Sequence, residues 1–189
     1  DFCLSRGLGD VYKRQGQNMA VKLVTVFEGN ESRGLPSHQA IISIFDPATG
    51  QCLALLDGTH ITAMRTAAAA ALATRLLART DAAVLAIIGA GVQGAAHLAM
   101  LPLARDFRAI RISSSQPEHA ARLAARDPRA QAVAAAEEAV RGADVVCLCT
   151  SSPTPVIAAA WLRAGAHVTS VGYHPPRGEL DPVIAINEH

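Results

Sequence analysis

The stretch "VLAIIGAGVQGAAH", residues 84–97, decides the fold of this chain. It opens on an apolar run, 84–88, with no polar interruption, which is typical of a strand buried on both faces of a parallel sheet. A complete Gly-x-Gly-x-x-Gly pattern follows at Gly89, Gly91 and Gly94, and a helical segment comes directly after it. A strand, a glycine loop and a helix in this order predict one βαβ unit of an α/β domain.

The glycine loop has the residue types that a dinucleotide site needs. Gly89 permits the tight turn, Gly91 lets a pyrophosphate approach backbone N–H groups, and Gly94 lets helix and strand pack closely. The helix N-terminus adds partial positive charge for the phosphates. Glycine loops also serve as ordinary turns, but the strand before this one and the helix after it favour a dinucleotide. The candidate cofactor-binding residues of the loop are Gly89, Gly91, Val92, Gln93 and Gly94.

Strands and helices alternate from residue 83 to residue 189. The five strand candidates are "AVLAIIG", "FRAIRIS", "AQAVAA", "DVVCLCTS" and "HVTSVGY". The segments between them have helical patterns, including "PVIAAAWLRAG" after the fourth strand. This alternation predicts a Rossmann-type doubly wound parallel sheet. The sequence stops shortly after the fifth strand, so we expect this dinucleotide-binding domain to be truncated at its C-terminal end.

Residues 16–82 have a different pattern. Three strand candidates are "MAVKLVTVF", "HQAIISIFD" and "QCLALLD", of which the last two are joined by the turn "PATG". The helical segment "DGTHITAMRTAAAAALATRLLART" follows, with Thr62 as its expected N-cap. This module predicts part of a smaller α/β domain beside the doubly wound sheet.

The first 15 residues, "DFCLSRGLGDVYKRQ", show neither helical nor strand periodicity, and the chain begins at Asp1 without a methionine. We interpret this segment as a non-native or artefactual leader and leave it out of the fold prediction. Together with the abrupt C-terminal end, it indicates an internal fragment of a longer protein.

Composition excludes several classes of function. The formal net charge of +1 gives no electrostatic reason to expect nucleic acid or an anionic membrane as a partner. No apolar run approaches the roughly 20 residues that span a bilayer, and no signal peptide pattern is present. Cys147 and Cys149 would share one face of a strand as buried thiols, which fits a reducing cytoplasm. The histidines have no metal-ligand spacing, so we expect no metal site.

The segment after the second predicted strand bears on the choice between NAD and NADP. An acid about 20 residues beyond the glycine loop normally binds the ribose hydroxyls in an NAD site. Here the strand ends in three serines, 113–115, which favours NADP modestly because no carboxylate repels a 2′-phosphate. Arg111 or Arg122 could add attraction to that phosphate. Alternatively, Ser115 caps the next helix and NAD binds without the acid. Ser113 and Ser114 are the candidate cofactor-binding residues here.

Six motifs, taken together and in order, resemble the ornithine cyclodeaminase/μ-crystallin family. They are "VKLVTVFEGN" (21–30), "GLPSHQA" (34–40), "LLDGTHITAMRTAAAAALAT" (55–74), "IIGAGVQG" (87–94), "ADVVCLCTSSPTPVI" (143–157) and "GAHVTSVGYHPPRGELD" (165–181). The resemblance covers essentially all of 16–189. It implies a substrate and dimerisation domain next to a dinucleotide-binding domain, and a homodimer when full length. It also implies NAD(P)-dependent hydride transfer at the α-carbon of amino acids or cyclic imino acids.

The resemblance implies three catalytic residues. Lys22 matches a lysine that faces the substrate, Arg65 matches an arginine suited to a bidentate carboxylate contact, and Asp181 matches an acid that handles the substrate amine. We place Arg65 in the first turn of its helix. Each residue has a plainer alternative, namely an exposed edge lysine, a surface arginine and an N-cap aspartate before Pro182.

Further positions carry over more loosely. Ser37 is expected near the nicotinamide, Thr66 near a phosphate, and Thr150 facing the cofactor beyond the fourth parallel strand. His174 lies in the loop before Asp181. It could contact the substrate, but an ordinary loop histidine is the favoured interpretation.

Three functions fit these residues. The first is imine reduction of the ketimine or Δ1-pyrroline-2-carboxylate reductase type, favoured by the missing ribose acid and by the loop "GYHPPRGELD". The second is ornithine cyclodeamination, in which NAD+ takes and returns the hydride while ammonia leaves. The third is a crystallin-like ligand binder without enzymatic activity.

Overall fold

The computed structural model describes residues 8–15, 18–172 and 178–186. The chain divides into two compact units, one up to Ala63 and one from Met64 onward. The division falls inside the long helix that follows the first sheet, whereas the sequence pattern placed it after that helix, at residue 82. The domain limits taken from the sequence stay a prediction.

The first unit contains a four-stranded antiparallel sheet of order β1-β2-β3-β4. Its strands are β1 (Leu8–Gln15), β2 (Asn18–Val26), β3 (His38–Phe45) and β4 (Cys52–Asp57). A 3-10 turn, Glu28–Arg33, lies between β2 and β3. The three strands and the hairpin that the sequence predicted are confirmed.

The segment that was left out of the fold prediction contains strand β1. Strand β1 pairs with β2 along its whole length, from Gln15↔Asn18 to Leu8↔Thr25. Backbone hydrogen bonding to the otherwise open edge of β2 accounts for this, because ladder formation does not require alternating hydrophobicity in the added strand. The origin of the segment as a non-native leader stays a prediction.

Helix α1 (Gly58–Leu77) begins earlier than predicted. The Asp57 carboxylate accepts a hydrogen bond from the Thr59 N–H at 2.8 Å, as an N-cap does. Thr62 lies inside the helix instead, where its Oγ1 donates to the Gly58 carbonyl at 2.5 Å. The predicted N-cap at Thr62 is therefore wrong, because Asp57 supplies the cap one turn earlier.

The second unit contains five parallel strands in the order β7-β6-β5-β8-β9. The predicted doubly wound sheet is thus confirmed. The strands are β5 (Val84–Ile88), β6 (Ala109–Ser113), β7 (Ala130–Ala132), β8 (Val145–Leu148) and β9 (His167–Ser170). The helices are α2 (Val92–Met100), α3 (Pro117–Ala124), α4 (Ala136–Val140) and α5 (Pro182–Ile186).

The helix predicted for "PVIAAAWLRAG" is wrong. Only a 3-10 turn, Ala159–Trp161, forms there, and Ala158 and Leu162 on either side have extended backbone. A high content of alanine and leucine favours a helix locally, but propensity is a weak determinant that tertiary context overrides.

The central strands of the parallel sheet, β5 and β8, are buried on both faces. Leu85 and Ile87 belong to one hydrophobic cluster, while Ala86 and Ile88 belong to the cluster on the other face. Cys147 and Cys149 lie together in the first cluster, as predicted, and burial raises the pKa of the Cys147 thiol to about 12. None of the described helices is long and apolar enough to cross a membrane.

Candidate functional site

The glycine loop connects β5 to α2 at the carboxyl edge of the parallel sheet. Gly89 has a φ of +104°, a conformation that side chains disfavour, and a Cβ there would lie 2.5 Å from the Cys149 carbonyl oxygen. A Cβ on Gly94 would overlap the carbonyl oxygen of Gly89. Both glycines are therefore required by the fold of the loop itself.

Gly91 differs from the other two glycines. A Cβ at this position would meet no atom within 4 Å, so the fold alone does not require glycine here. Gly91 is the N-cap of α2 and provides no side-chain cap for the first helical N–H groups. Those N–H groups and the open space beside Gly91 are suited to a phosphate oxygen.

This difference gives a first prediction. Gly94→Ala is expected to lower the free energy of unfolding by about 3 kcal/mol, because its methyl group meets backbone that cannot move aside. Gly91→Ala is expected to cost at most about 1 kcal/mol, since it only exchanges one weak N-cap for another. Urea unfolding without nucleotide measures both variants. Equal stability of the two would contradict the assignment of Gly94 to packing.

The carboxyl end of β6 is formed by serines, as the sequence indicates. The Gly89 N–H donates to the Ser113 carbonyl at 2.8 Å, which ties the glycine loop to this strand end. Ser113 is buried and Ser114 is half-buried. Helix α3 begins at Pro117 with Gln116 as its N-cap, so the alternative in which Ser115 caps the helix is wrong. Across the described residues after β6, the first acid is the exposed Glu118.

Arg111 already has a partner within the protein, and its attraction for a 2′-phosphate stays a prediction. The Arg111 guanidinium donates to the Arg141 carbonyl at 2.7 Å, at the C-terminal end of α4. From its position on β6, the guanidinium reaches the carbonyl groups at the end of this helix, where the helix dipole attracts cations. Arg122 is exposed on α3, with no hydrogen-bond partner among the residues that the structure describes.

The carboxyl ends of β8 and β9 meet at a buried acid that sequence reasoning did not select. Glu179 is 1% exposed, and four donors face its two oxygens. The Thr150 N–H and hydroxyl both donate to Oε2 at 2.6 Å. The Ser170 hydroxyl and the Gly172 N–H donate to Oε1 at 2.9 and 2.6 Å. The motif "GELD" contained this residue, but nothing in the sequence distinguished a buried acid from an exposed one.

Asp181 lies two residues further on. One of its carboxylate oxygens, Oδ1, accepts from the Val183 N–H at 3.0 Å, so Asp181 caps the short helix α5. The plainer alternative of an N-cap is therefore confirmed as a structural role. The part of Asp181 in proton exchange stays a prediction. His174 lies outside the described residues.

In the first unit, Lys22 lies on an interior strand rather than an edge strand. Strand β2 pairs with β1 on one side and with β3 on the other, so the alternative of an exposed edge lysine is wrong. The Lys22 Nζ donates to Thr62 Oγ1 at 2.6 Å, and the side chain is half-buried. Ser37 lies just before β3, half-buried, with its hydroxyl 3.3 Å from the His38 Nδ1.

Arg65 and Thr66 belong to the part of α1 that lies in the second unit. Because α1 begins at Gly58, Arg65 lies beyond the first turn, and the prediction of a position in that turn is wrong. The helix N-terminus therefore does not reinforce anion binding by Arg65 as expected. The Arg65 side chain is exposed and has no hydrogen-bond or ion-pair partner within the described part of the chain. Thr66 is half-buried.

The histidines of the described residues include buried and exposed side chains, with His38 and His60 exposed. His97 is fully buried in α2, its Nδ1 donates to the Gln93 carbonyl at 2.8 Å, and burial lowers its pKa. No group of three or more potential metal ligands occurs among the residues that the structure describes.

The second unit therefore brings together Gly89, Ser113 and Thr150, three of the predicted cofactor residues. A Cβ on Gly89 would lie 3.1 Å from the Thr150 Cγ2, and the Gly89 N–H bonds to Ser113. Val92 is exposed beside them, and the Gln93 Oε1 is buried without a hydrogen-bond partner in the described residues. An open glycine and an uncapped helix N-terminus at the carboxyl edge fit a dinucleotide.

Comparisons with known proteins agree with this geometry. The model of the ornithine cyclodeaminase/mu-crystallin family matches residues 11–187. Ketimine reductase mu-crystallin of Mus musculus is 37% identical over 177 residues, which cover 93% of this chain and 56% of that protein.

Two solved structures are similar over most of the chain. Thermococcus litoralis Δ1-pyrroline-2-carboxylate reductase, in complex with NADH and L-proline, has a TM-score of 0.80 and 33% identity, covering 88% of this chain and 57% of that one. A lysine cyclodeaminase, described for its recognition of L-lysine, L-ornithine and L-2,4-diaminobutyric acid, has a TM-score of 0.80 and 31% identity, covering 88% and 51%. The chain thus spans about half the length of the relatives it matches.

Proposed function

Because this chain belongs to the ornithine cyclodeaminase/mu-crystallin family, we propose that it takes part in NAD(P)-dependent hydride transfer at the α-carbon of an amino or cyclic imino acid. Imine reduction is the proposed direction. The observation that carries the proposal is the carboxyl edge of the parallel sheet, where the open Gly91 and the uncapped start of α2 can hold a pyrophosphate.

The three catalytic residues have complementary roles in this proposal. Arg65 offers an exposed guanidinium that has no partner among the described residues to the substrate carboxylate, and Lys22 offers an ammonium group held by Thr62. Holding the carboxylate fixes the α-carbon within the roughly 3–3.5 Å that hydride transfer requires. When bound, the cofactor would supply the hydride for reduction of the imine. Asp181 exchanges a proton with the substrate nitrogen as general acid or base, through the carboxyl oxygen that does not cap α5, and donates it when that carboxyl group is protonated.

The remaining predicted residues contact the cofactor in this proposal. The glycine loop, Gly89, Gly91, Val92, Gln93 and Gly94, surrounds the pyrophosphate, and Thr66 contacts a phosphate. Ser37 contacts the nicotinamide, and Thr150 faces the cofactor beyond the fourth parallel strand. We propose a modest preference for NADP, since β6 ends in Ser113 and Ser114 with no adjacent carboxylate. Arg122, exposed and unpaired within the described residues, is the cation available to a 2′-phosphate.

Two assays on the purified protein test the reaction. The first follows NADPH and NADH oxidation at 340 nm with Δ1-pyrroline-2-carboxylate. The second measures ammonia released from L-ornithine with NAD+. We expect oxidation of reduced cofactor, faster with NADPH, and no ammonia. Release of ammonia without net oxidation of the cofactor would identify a cyclodeaminase instead of a reductase. The similarity to the lysine cyclodeaminase structure makes this the second candidate. Tight cofactor binding with neither reaction would support a crystallin-like binder.

We propose that a second copy of this chain covers the sheet face of the first unit that does not carry Lys22. This face exposes large apolar side chains: Leu23, Ile41 and Leu55 are between 43% and 65% exposed. The register places Leu23 beside Ile41, and Leu55 beside Ser43 on the same face. Apolar area of this kind is unusual on a monomer and typical of a subunit interface.

Leu55→Glu is therefore expected to convert a dimer into a monomer, because it would bury a charge in the interface. Sedimentation velocity measures the change in mass. Leu103→Glu is the matched control, since Leu103 is 79% exposed and belongs to the second unit rather than to this sheet. A mass unaffected by Leu55→Glu would contradict the assignment of the face.

A further inference from the structure

The carboxyl ends of β8 and β9 are connected through one side chain. Glu179 accepts two hydrogen bonds from Thr150, which follows β8, and two from Ser170 and Gly172, which end and follow β9. Four donors fill the acceptor capacity of an ionised carboxylate and leave it none for a substrate. Glu179 is also fully enclosed, so it has no direct access to bound molecules.

We propose that Glu179 is a positioning residue for the cofactor, acting through Thr150. This inference rests on the proposed function, because it concerns the same dinucleotide site. Glu179 holds both the backbone N–H and the hydroxyl of Thr150, which fixes the main chain and the side-chain rotamer of that residue together. The Thr150 methyl group in turn borders the turn at Gly89. The carboxylate thus connects β9 and β8 to the glycine loop.

The same contacts change the role of Thr150. Its hydroxyl donates its only proton to Glu179 and accepts from the Ser152 N–H at 3.2 Å. A hydroxyl has one donor, so Thr150 has none left for the cofactor. Thr150 therefore shapes the wall of the site, and its hydroxyl is not a hydrogen-bond donor to the nucleotide.

Gly172 is explained by the same cluster. A Cβ at Gly172 would lie 2.5 Å from the Glu179 Cδ and would also overlap the Thr150 carbonyl oxygen. Its φ does not lie in the region that favours glycine, so space is the reason for glycine here. The absence of a side chain lets the acid approach the backbone between β8 and β9.

Glu179→Gln tests the proposal with almost no change in shape. The new amide NH2 would face the N–H of Thr150 or of Gly172, and two donors cannot form a hydrogen bond. The hydrogen bonds on that side of the cluster must therefore break. The expected result is a rise of about tenfold in the Kd and KM for NAD(P)H, while the KM for the imino acid changes less than about twofold. Glu138→Gln is the matched control, because Glu138 is exposed on α4 in the same unit. A merely structural role would not confine the change to one substrate.

Thr150→Val provides a second measurement if Glu179→Gln does not fold. It removes the hydroxyl and keeps the backbone N–H, and we expect it to raise the Kd for NAD(P)H about threefold or more in a folded protein. Unchanged cofactor affinity in whichever of these variants folds overturns the proposal. A wild-type protein that binds no NAD(P)H overturns the proposed function itself, and that outcome is seen before any variant is made.

Discussion

Arg65→Ala is expected to lower kcat/KM for the imino acid by about 30- to 1000-fold while the Kd for NAD(P)H stays within about twofold. The loss corresponds to roughly 2–4 kcal/mol, the range for removing one partner of a hydrogen-bonded charge pair. Its physical reason is that a guanidinium makes two parallel hydrogen bonds to a carboxylate. Arg65 suits this role because it is exposed and has no partner among the described residues, so binding a substrate breaks no existing ion pair.

The comparison variants separate a substrate contact from a general loss of charge. Arg65→Lys keeps the charge but not the planar fork, so it should recover only part of the activity. Arg75→Ala removes an exposed arginine from the same helix and should change neither parameter. Steady-state kinetics and cofactor fluorescence titration measure the effects. Full turnover by Arg65→Ala would mean that Arg65 is a surface arginine and that another cation binds the carboxylate.

The parallel sheet was predictable because its signal is local and repeated. The central strands β5 and β8 are short apolar runs buried on both faces, and each is bounded by a loop or a helix start. The glycine loop was predictable for a related reason. Gly89 and Gly94 are fixed by close backbone contacts that no other residue allows, so the pattern has a steric meaning in any sequence that forms this turn.

The errors have one physical origin, which is that tertiary contacts decide between local alternatives. Strand β1 forms because β2 offers it an edge, and the Ala159–Trp161 segment stays a 3-10 turn despite its composition. Arg111 contacts the end of α4, a partner that its position in the sequence did not indicate. In each case the sequence shows the residue, but it does not show the tertiary partner that decides the residue's conformation or contact.

Buried acids show the same limit most clearly. Asp144 accepts hydrogen bonds from the Ala83 and Val84 N–H groups, both at 2.9 Å, at the amino ends of the strands. Glu179 makes the corresponding connection at the carboxyl ends. Both look like ordinary charged residues in the sequence. Only the acid at the carboxyl edge borders the expected ligand, because ligands of such sheets bind beyond the carboxyl ends of the strands.

Asp181→Asn separates the two roles that Asp181 has been given. Asparagine retains an oxygen that can accept from the Val183 N–H, so α5 stays capped and the free energy of unfolding should change by less than about 0.5 kcal/mol. It cannot exchange a proton, so kcat for imine reduction should fall by about 10²- to 10⁴-fold. Asp181→Ala removes both functions and should lose about 1 kcal/mol of stability as well.

Comparing kcat and the free energy of unfolding between Asp181→Asn and Asp181→Ala identifies what Asp181 does. If Asp181 only caps α5, Asp181→Ala should lose stability and Asp181→Asn should keep full activity. The reason is that the cap needs a hydrogen-bond acceptor and not a charge. A residue that only exchanges protons would lose activity equally in both, without the difference in stability. The loss of turnover in both, with destabilisation confined to alanine, is expected if one oxygen serves the helix and the other the substrate. Asp106→Asn, at an exposed position of the same unit, controls for the change in net charge. If one Asp181 oxygen caps α5, that contact also fixes the position of the other oxygen. The helix cap would then explain how the second oxygen is held where it can reach the substrate nitrogen.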